Sequence, residues 1–145
     1  MKDATFQELA SLYFSTRQII RAKLPGGKAD PNAWMRFETM RYIEDANGPT
    51  MQDIADYLRI KAPSATSLVA HLARQNSVRR AVGTDDKRVT RLYLTSHGKK
   101  LLAEHRKHSV SVMRKVFADF KPDEVDELVR LLRHLRDIHD ASVRR

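Results

Sequence analysis

The chain has 145 residues, no cysteine and a formal net charge of +9, from 27 Lys plus Arg against 18 Asp plus Glu. This length suits one domain with a substantial core, and the positive excess favours a polyanionic partner. The lack of cysteine excludes disulfides, thiolate metal sites, cysteine nucleophiles and thiol redox sensing. No apolar run is long enough to span a membrane, and the N-terminus lacks the apolar core of a signal peptide. We therefore expect a cytoplasmic protein.

The first predicted helix spans residues 3–24 and is apolar on more than one side. Phe6, Leu9 and Tyr13 recur at helical spacing, and further apolar residues widen this surface. Such a helix needs more than one neighbour, and in a small domain the extra neighbour is often a second subunit. The Pro-Gly-Gly sequence at 25–27 predicts its end.

A second helix is predicted over residues 32–46, and Asn47-Gly48-Pro49 is expected to end it. Trp34 and Phe37 supply much of its bulk. Their size allows two interpretations, as anchors of the core or as the lining of a ligand pocket.

The pattern from Thr50 to Arg74 predicts a helix-turn-helix. Thr50 and Asp53 form a capping pattern before an apolar-periodic run at 51–58, and Pro63 suits the first turn of a second helix. The stripe predicted to be buried on that helix is Ala65, Leu68, Val69 and Leu72, and the side chains predicted to point away from it are Ser64, Thr66, Ser67, His71 and Arg74.

A β-hairpin is predicted to follow. Asn76 suits a left-handed helix stop, residues 83–87 have turn chemistry, and 89–94 alternates with Leu92 and Leu94 on one face. A helix-turn-helix followed by a hairpin predicts a winged helix, whose basic wing suits a DNA backbone and groove. The hairpin and its flanks carry Arg79, Arg80, Lys87, Arg88 and Arg91, against Asp85 and Asp86.

Two more helices are predicted after the hairpin. Thr95 caps the first, over about 96–120, and Lys121-Pro122-Asp123 separates it from the last. A narrow leucine stripe on a terminal helix is typical of a pairing surface. With the first helix it predicts a dimerisation layer, for which the selected residues are Leu9, Leu128, Leu132 and Leu135.

The hairpin carries a specific resemblance. Asp86-Lys87-Arg88 followed by Leu94-Thr95-Ser96-His97-Gly98 resembles the wing signature of the MarR family of bacterial transcription regulators. The resemblance implies a dimer paired through its terminal helices. It also implies that Arg88 enters the minor groove of DNA while Asp86 holds it in place. Considered alone, Asp86 and Arg88 could instead form a turn stabilised by its own ion pair.

The predicted fold is mainly α, a winged helix-turn-helix with a three-helix core, a β-hairpin wing and N- and C-terminal dimerisation helices. We expect one MarR-like domain over 1–145, with the DNA-binding part at 32–95 and the helical dimerisation layer at 1–24 and 96–145. Family recognition helices often carry a basic residue where this chain has Ser67. Affinity for the DNA backbone must then come mainly from Lys and Arg residues around this helix.

The leading functional hypothesis is a chromosome-associated, dimeric, sequence-specific transcription regulator. It would act as a repressor on an inverted-repeat operator in double-stranded DNA. The resemblance leaves open whether a small aromatic or amphipathic ligand binds and releases the protein from DNA. The alternative function is a sequence-tolerant architectural DNA-binding protein. We expect no enzyme, cofactor or metal, although His105 and His108, and also His134 and His139, could be weighed as metal ligands. The predicted DNA contacts are Lys61, Ser64, Thr66, Ser67, His71, Arg74, Lys87, Arg88 and Arg91.

Overall fold

The computed structural model describes residues 2–24, 30 and 32–143, so the predicted stop at 25–27 lies outside the described residues. Within them the mainly α winged helix-turn-helix prediction is confirmed. None of the described helices is both long and apolar enough to cross a membrane. The elements are α1 (Asp3–Lys23), α2 (Ala33–Ala46), α3 (Met51–Leu58), α4 (Ala62–Arg74), β1 (Val78–Val82), β2 (Thr90–Leu94), α5 (Ser96–Val116) and α6 (Pro122–Val143).

The core lies where α2, α3, α4, the hairpin and the first half of α5 meet. Each element contributes one apolar face, as the helical and alternating patterns of the sequence require. Three members of the predicted α4 stripe are buried, while Leu68 is partly buried. The largest fully buried apolar side chains are Met40, Ile43, Ile54, Val69, Leu72, Leu92 and Leu102.

The predicted cap of α3 is present. The Thr50 hydroxyl accepts a hydrogen bond from the Asp53 backbone N–H at 3.2 Å, and the Asp53 carboxylate accepts one from the Thr50 N–H at 2.8 Å. This capping box satisfies two donors that a helix start leaves unpaired. The helix ends at Leu58, the capping residue Arg59 that follows it has φ +54°, and α4 then begins with Pro63 in its first turn. A left-handed arginine was not foreseen from the sequence.

The hairpin is closed at its base by the start of α5. Asn76 has φ +55°, as its residue type predicted. The Thr95 hydroxyl donates to the Asn76 carbonyl at 2.5 Å and accepts from the Gly98 N–H at 2.9 Å. A Cβ at Gly98 would lie 2.0 Å from the Ser77 carbonyl oxygen, so only glycine permits this close approach.

The end of α5 differs from the prediction. The helix stops at Val116 rather than near residue 120, and the Phe120 N–H bonds to the Phe117 carbonyl in a turn. The rings of these two phenylalanines contact edge to face, with 5.2 Å between their centroids. Apolar periodicity alone could not place this stop, because both rings also suit a continuing helix. The predicted restart is confirmed, since α6 begins at Pro122.

The two terminal helices keep their apolar side chains exposed within one protomer. No residue of α1 is buried, and Leu9 is 61% exposed. On α6, Leu132 and Leu135 are 57% and 55% exposed, whereas Leu128 is partly buried. Large apolar side chains lined up on one helix face normally have a packing partner. The single chain provides none for most of this surface among its described residues.

Trp34 and Phe37 have separate environments. Trp34 is 45% exposed, so its interpretation as a core anchor is wrong. It lies near the start of α2, on the side turned away from the core. Phe37 is partly buried and packs against the core as that interpretation predicted, with its ring stacked on His105.

The capping box gives a stability prediction. We expect Thr50→Ala to lower the free energy of unfolding by about 1 kcal/mol, because the Asp53 N–H loses its acceptor. Urea unfolding followed by circular dichroism measures the change. Thr84→Ala, at an exposed position in the hairpin turn, is the control and should change stability by less than about 0.5 kcal/mol. Equal effects of both substitutions would contradict the capping contribution.

Candidate nucleic-acid interface

The outward face of α4 presents small hydroxyl side chains. Ser64, Thr66 and Ser67 are all exposed. The Thr66 hydroxyl donates to the Ala62 carbonyl at 3.0 Å, which leaves its lone pairs free to accept. Among the described residues, Ser64 and Ser67 have no hydrogen-bond partner for their hydroxyls, so these groups can both donate and accept.

His71 lies differently from the prediction that it points away from the core. It is partly buried, and its Nε2 atom is buried with no hydrogen-bond partner among the described residues. It shares a groove of about 600 Å³ that runs between α4 and the start of α2. The groove is lined by Asn32, Met35, Arg36, Ile60, Pro63, Ser64, Ser67, Leu68 and His71. Ser64 and Ser67 therefore border both solvent and this groove.

The tip of the wing holds an ordered ion pair. Asp86 Oδ1 accepts from the Arg88 backbone N–H at 2.9 Å and from Arg88 Nε at 3.3 Å. These two bonds, the backbone one first, hold the pKa of the Asp86 carboxyl below its usual range. The Arg88 side chain is 92% exposed. Its remaining N–H groups point into solvent and are available to an external acceptor.

The other predicted cations have two kinds of environment. The guanidinium of Arg79 lies 4.7 Å from the centre of the Tyr93 ring, a cation–π contact at the base of the wing. Arg91 is partly buried, and its Nη1 donates to the Gly48 carbonyl at 3.1 Å. The remaining four, Lys61, Arg74, Arg80 and Lys87, are exposed.

These groups together form a basic surface around an uncharged helix face. Helix α4 contains no acidic residue. Exposed cations stand at its N-terminal side, at its C-terminal end and along the wing. Such an arrangement can bind phosphates through the cations while hydroxyls meet base edges. Asp85 and Asp86 lie in the hairpin, and Asp86 is already paired with Arg88.

A polar network on α2 and α3 was missed by the sequence analysis. Arg41 bonds to Glu38 and to Asp45, and the Tyr57 hydroxyl donates to Glu38 at 3.0 Å. Burial, then the nearby Glu38 charge, raises the pKa of Tyr57 to about 12. The i, i+3 and i, i+4 spacing of Glu38, Arg41 and Asp45 could have revealed the helical pairs. The contact between Tyr57 and Glu38 could not be predicted in this way, because it depends on how α3 packs against α2.

The contact between α2 and α5 joins the winged helix to the helical layer. The rings of Phe37 and His105 stack with centroids 3.5 Å apart, and Arg106 donates to Glu44 at 2.8 Å. His105 Nδ1 is buried with no hydrogen-bond partner among the described residues. Burial, reinforced by His108, lowers the pKa of His105, while Glu38 opposes the shift. Burial in this stack therefore disfavours the charged form of the His105 imidazole.

The histidines that were weighed as metal ligands do not form a cluster. In the part of the chain that the structure describes, no three His, Asp or Glu side chains are placed to hold one metal ion.

Comparison with known proteins identifies the class of this winged helix. Residues 33–89 match the model of the MarR family. A MarR family protein from Bacillus stearothermophilus superposes with a TM-score of 0.77 at 21% identity, covering 97% of this chain and 99% of that one. A mutant MarR from E. coli complexed with operator DNA gives 0.73 at 21% identity, covering 88% and 93%. No curated protein sequence matches the chain.

A third similar structure is that of another transcriptional regulator. The transcriptional regulator BldR from Sulfolobus solfataricus gives a TM-score of 0.71 at 18% identity, covering 92% of this chain and 93% of that one. At these identities the structures show a shared fold. The winged-helix segment, residues 33–89, matches the MarR family model, in agreement with the resemblance drawn from the wing.

The His105 stack gives a pH prediction. Because burial lowers the pKa of His105 from 6.5, the unfolded chain binds its proton more readily, and this contribution to stability is lost as pH falls below about 6.5. We expect His105→Gln to reduce the loss of unfolding free energy between about pH 7.5 and pH 5.5, measured by urea unfolding. His97→Gln, at an exposed position on α5, should keep the wild-type loss. An unchanged loss in His105→Gln would contradict the prediction.

Proposed function

We propose that this protein is a dimeric, sequence-specific DNA-binding transcription regulator that represses by occupying an inverted-repeat operator. Two observations carry the proposal. At the wing tip an exposed Arg88 is oriented by Asp86, and the outward face of α4 presents the exposed hydroxyl side chains of Ser64, Thr66 and Ser67. An arginine held in this way suits a narrow, electronegative minor groove. The hydroxyls of α4 suit base edges in the adjoining major groove.

The operator-bound MarR of E. coli supports this proposal because its chain has the same fold. In our proposal the DNA-binding part is residues 32–95. Lys61, Arg74 and Lys87 contact phosphates and fix the register, whereas Ser64, Thr66 and Ser67 read bases. The hydroxyls give a weaker sequence code than a bidentate arginine would, so ordered water is expected to share in base reading.

The dimer belongs to the same proposal. A second copy of the chain is the expected partner for the apolar faces of α1 and α6, where Leu9, Leu132 and Leu135 are exposed. A two-fold dimer presents two copies of α4 to successive major grooves, about one helical turn apart. This geometry is the reason for expecting an inverted repeat.

Release by a small molecule is the regulatory part of the proposal. The groove between α4 and the start of α2 has apolar walls from Met35, Ile60 and Leu68, and polar groups from Arg36 and His71. Because Arg36 is ion-paired with Asp30, a small aromatic or amphipathic molecule with a hydrogen-bonding group fits this chemistry. Its binding would move α4 relative to the wing and so weaken DNA binding.

Selection of DNA from a random pool tests the proposal. The purified full chain is incubated with the pool at about 0.15 M salt, and the bound DNA is sequenced. Enrichment of an inverted repeat with half-sites about one turn apart is the expected result. Binding without enrichment would instead favour a sequence-tolerant architectural protein, for which the lack of a cation at Ser67 is the supporting feature.

The selected site then allows a test of the wing. We expect Arg88→Ala to weaken binding by about 1–3 kcal/mol, because one cationic contact to the minor groove is lost. Fluorescence anisotropy at constant salt measures the affinity. Arg133→Ala removes the same charge from α6 and should bind as the wild type does. Equal affinities for Arg88→Ala and the wild type would remove the wing tip from the interface.

The dimer is tested by charge substitution on α6. The double change Leu132→Asp and Leu135→Asp should give a monomer in sedimentation velocity, because two carboxylates would be buried in an apolar interface. The control double change, Arg130→Asp and Arg133→Asp, adds the same groups on the opposite side of the helix and should remain dimeric. Dimers in both variants would exclude the α6 surface as the interface.

A further inference from the structure

The base of the wing is attached to the turn between α2 and α3. The Leu92 backbone N–H donates to the Pro49 carbonyl at 3.0 Å. Beside this bond, Nη1 of Arg91 donates to the Gly48 carbonyl at 3.1 Å. Two consecutive residues of β2 thus bond to two consecutive carbonyls of the turn. The side chain supplies one of the two bonds.

Tyr93, on the same face of β2 as Arg91, also packs against this turn. Gly48 is buried with φ +99°, and a Cβ there would lie 2.6 Å from the Tyr93 hydroxyl oxygen and 2.8 Å from the ring. The turn backbone therefore lies directly on this side chain. The guanidinium of Arg79, paired with Tyr93 in the hairpin, lies over its ring. We call Gly48, Arg79, Arg91 and Tyr93 the wing junction.

The wing tip contrasts with this junction. The bonds of the tip are local: Gly83 N–H donates to the Val89 carbonyl, Val89 N–H donates to the Asp86 carbonyl, and Asp86 pairs with Arg88. None of these bonds reaches the helix-turn-helix. Where Arg88 stands relative to α4 is therefore decided at the base of the hairpin. A change of angle there moves the tip, because strand residues lie about 3.3 Å apart along the hairpin.

We infer that Arg91 is a positioning residue that sets the angle of the wing, and that its charge does not bind DNA phosphate. Its guanidinium is partly buried and committed to the Gly48 carbonyl, whereas Arg88 is exposed and directed to solvent. A bond from a charged donor to a carbonyl is stronger than one between neutral groups. This inference rests on the proposed DNA binding for its effect on affinity, but the junction can be tested without DNA.

The first experiment measures hydrogen exchange in the free protein. Arg91→Met keeps an unbranched apolar stem and removes the donor. We expect exchange of the Leu92 amide to become at least about fivefold faster, since the turn opens more often. Arg88→Met is the matched control and should leave that amide unchanged. Unchanged Leu92 exchange in Arg91→Met would overturn the inference, whether or not the protein binds DNA.

The second experiment measures how DNA affinity depends on salt. Each phosphate contact contributes about 0.9 to the slope of log K against log salt. We expect Arg91→Met to lower affinity about three- to tenfold, the effect of one lost hydrogen bond, with the wild-type slope. Lys87→Met should lower the slope by about one. A slope reduced equally by Arg91→Met would show a phosphate contact and overturn the inference.

A third variant alters the other side of the junction without changing any charge. Gly48→Ala places a methyl group against Tyr93, so the turn or the ring must move. We expect the same loss of affinity with an unchanged salt slope. Wild-type DNA affinity in a folded Gly48→Ala variant would contradict the inference that the wing junction sets the angle of the wing. Absence of salt-dependent DNA binding in the wild type would instead refute the proposed function, and the exchange experiment would still decide the junction.

Discussion

The close approach of α5 to the end of α4 is the constraint on which the rest of the structure depends. Gly98 lies against the Ser77 backbone, and the Thr95 amide N–H donates to the Ser77 carbonyl at 3.1 Å. Residues 77 and 95 are the two ends of the hairpin, so this contact closes it. The same contact fixes where α5 starts. It therefore couples the orientation of the wing to the helix that leads into the helical layer.

The attachment of the wing at two points explains why its tip can be ordered yet exposed. One point is the start of α5, and the other is the turn at Gly48 and Pro49. Between them the apolar face of β2 is buried through Leu92 and Leu94. The ion pair at the tip is highly exposed, and such a pair contributes little to folding stability. Its value is orientation, since it fixes the position of the Arg88 guanidinium through Nε while the side chain stays in solvent.

The helical layer differs from the wing, because the apolar residues of its terminal helices are exposed in the single chain. Helix α2 connects to it through the stack of Phe37 on His105 and the pair between Arg106 and Glu44. These contacts are polar in part, and they add to the apolar packing of Leu101 and Leu102 of α5 against the core. The groove beside α4 is lined by Met35 and Arg36 of α2, directly before Phe37 in the sequence.

The sequence by itself determined the elements whose causes are local. The capping residues Thr50 and Thr95, the left-handed Asn76 and the alternation of Leu92 with Tyr93 each depend on neighbours within a few residues. The wing signature rests on such local features, and it indicated the family whose model matches residues 33–89. Charge and turn chemistry likewise predicted a basic hairpin. The pattern could not show which of its cations face solvent and which bond within the protein.

Only the tertiary structure decided which side chains meet across the chain. Arg91 and Arg88 look alike in the sequence, yet one bonds to a carbonyl 43 positions away and the other stays in solvent. His71 was expected to face outward, but it lines a groove because α2 packs beside α4. Trp34 is exposed, so only one of its two sequence interpretations, the core anchor, is wrong. Helical and strand periods specify faces, whereas the packing of those faces specifies partners.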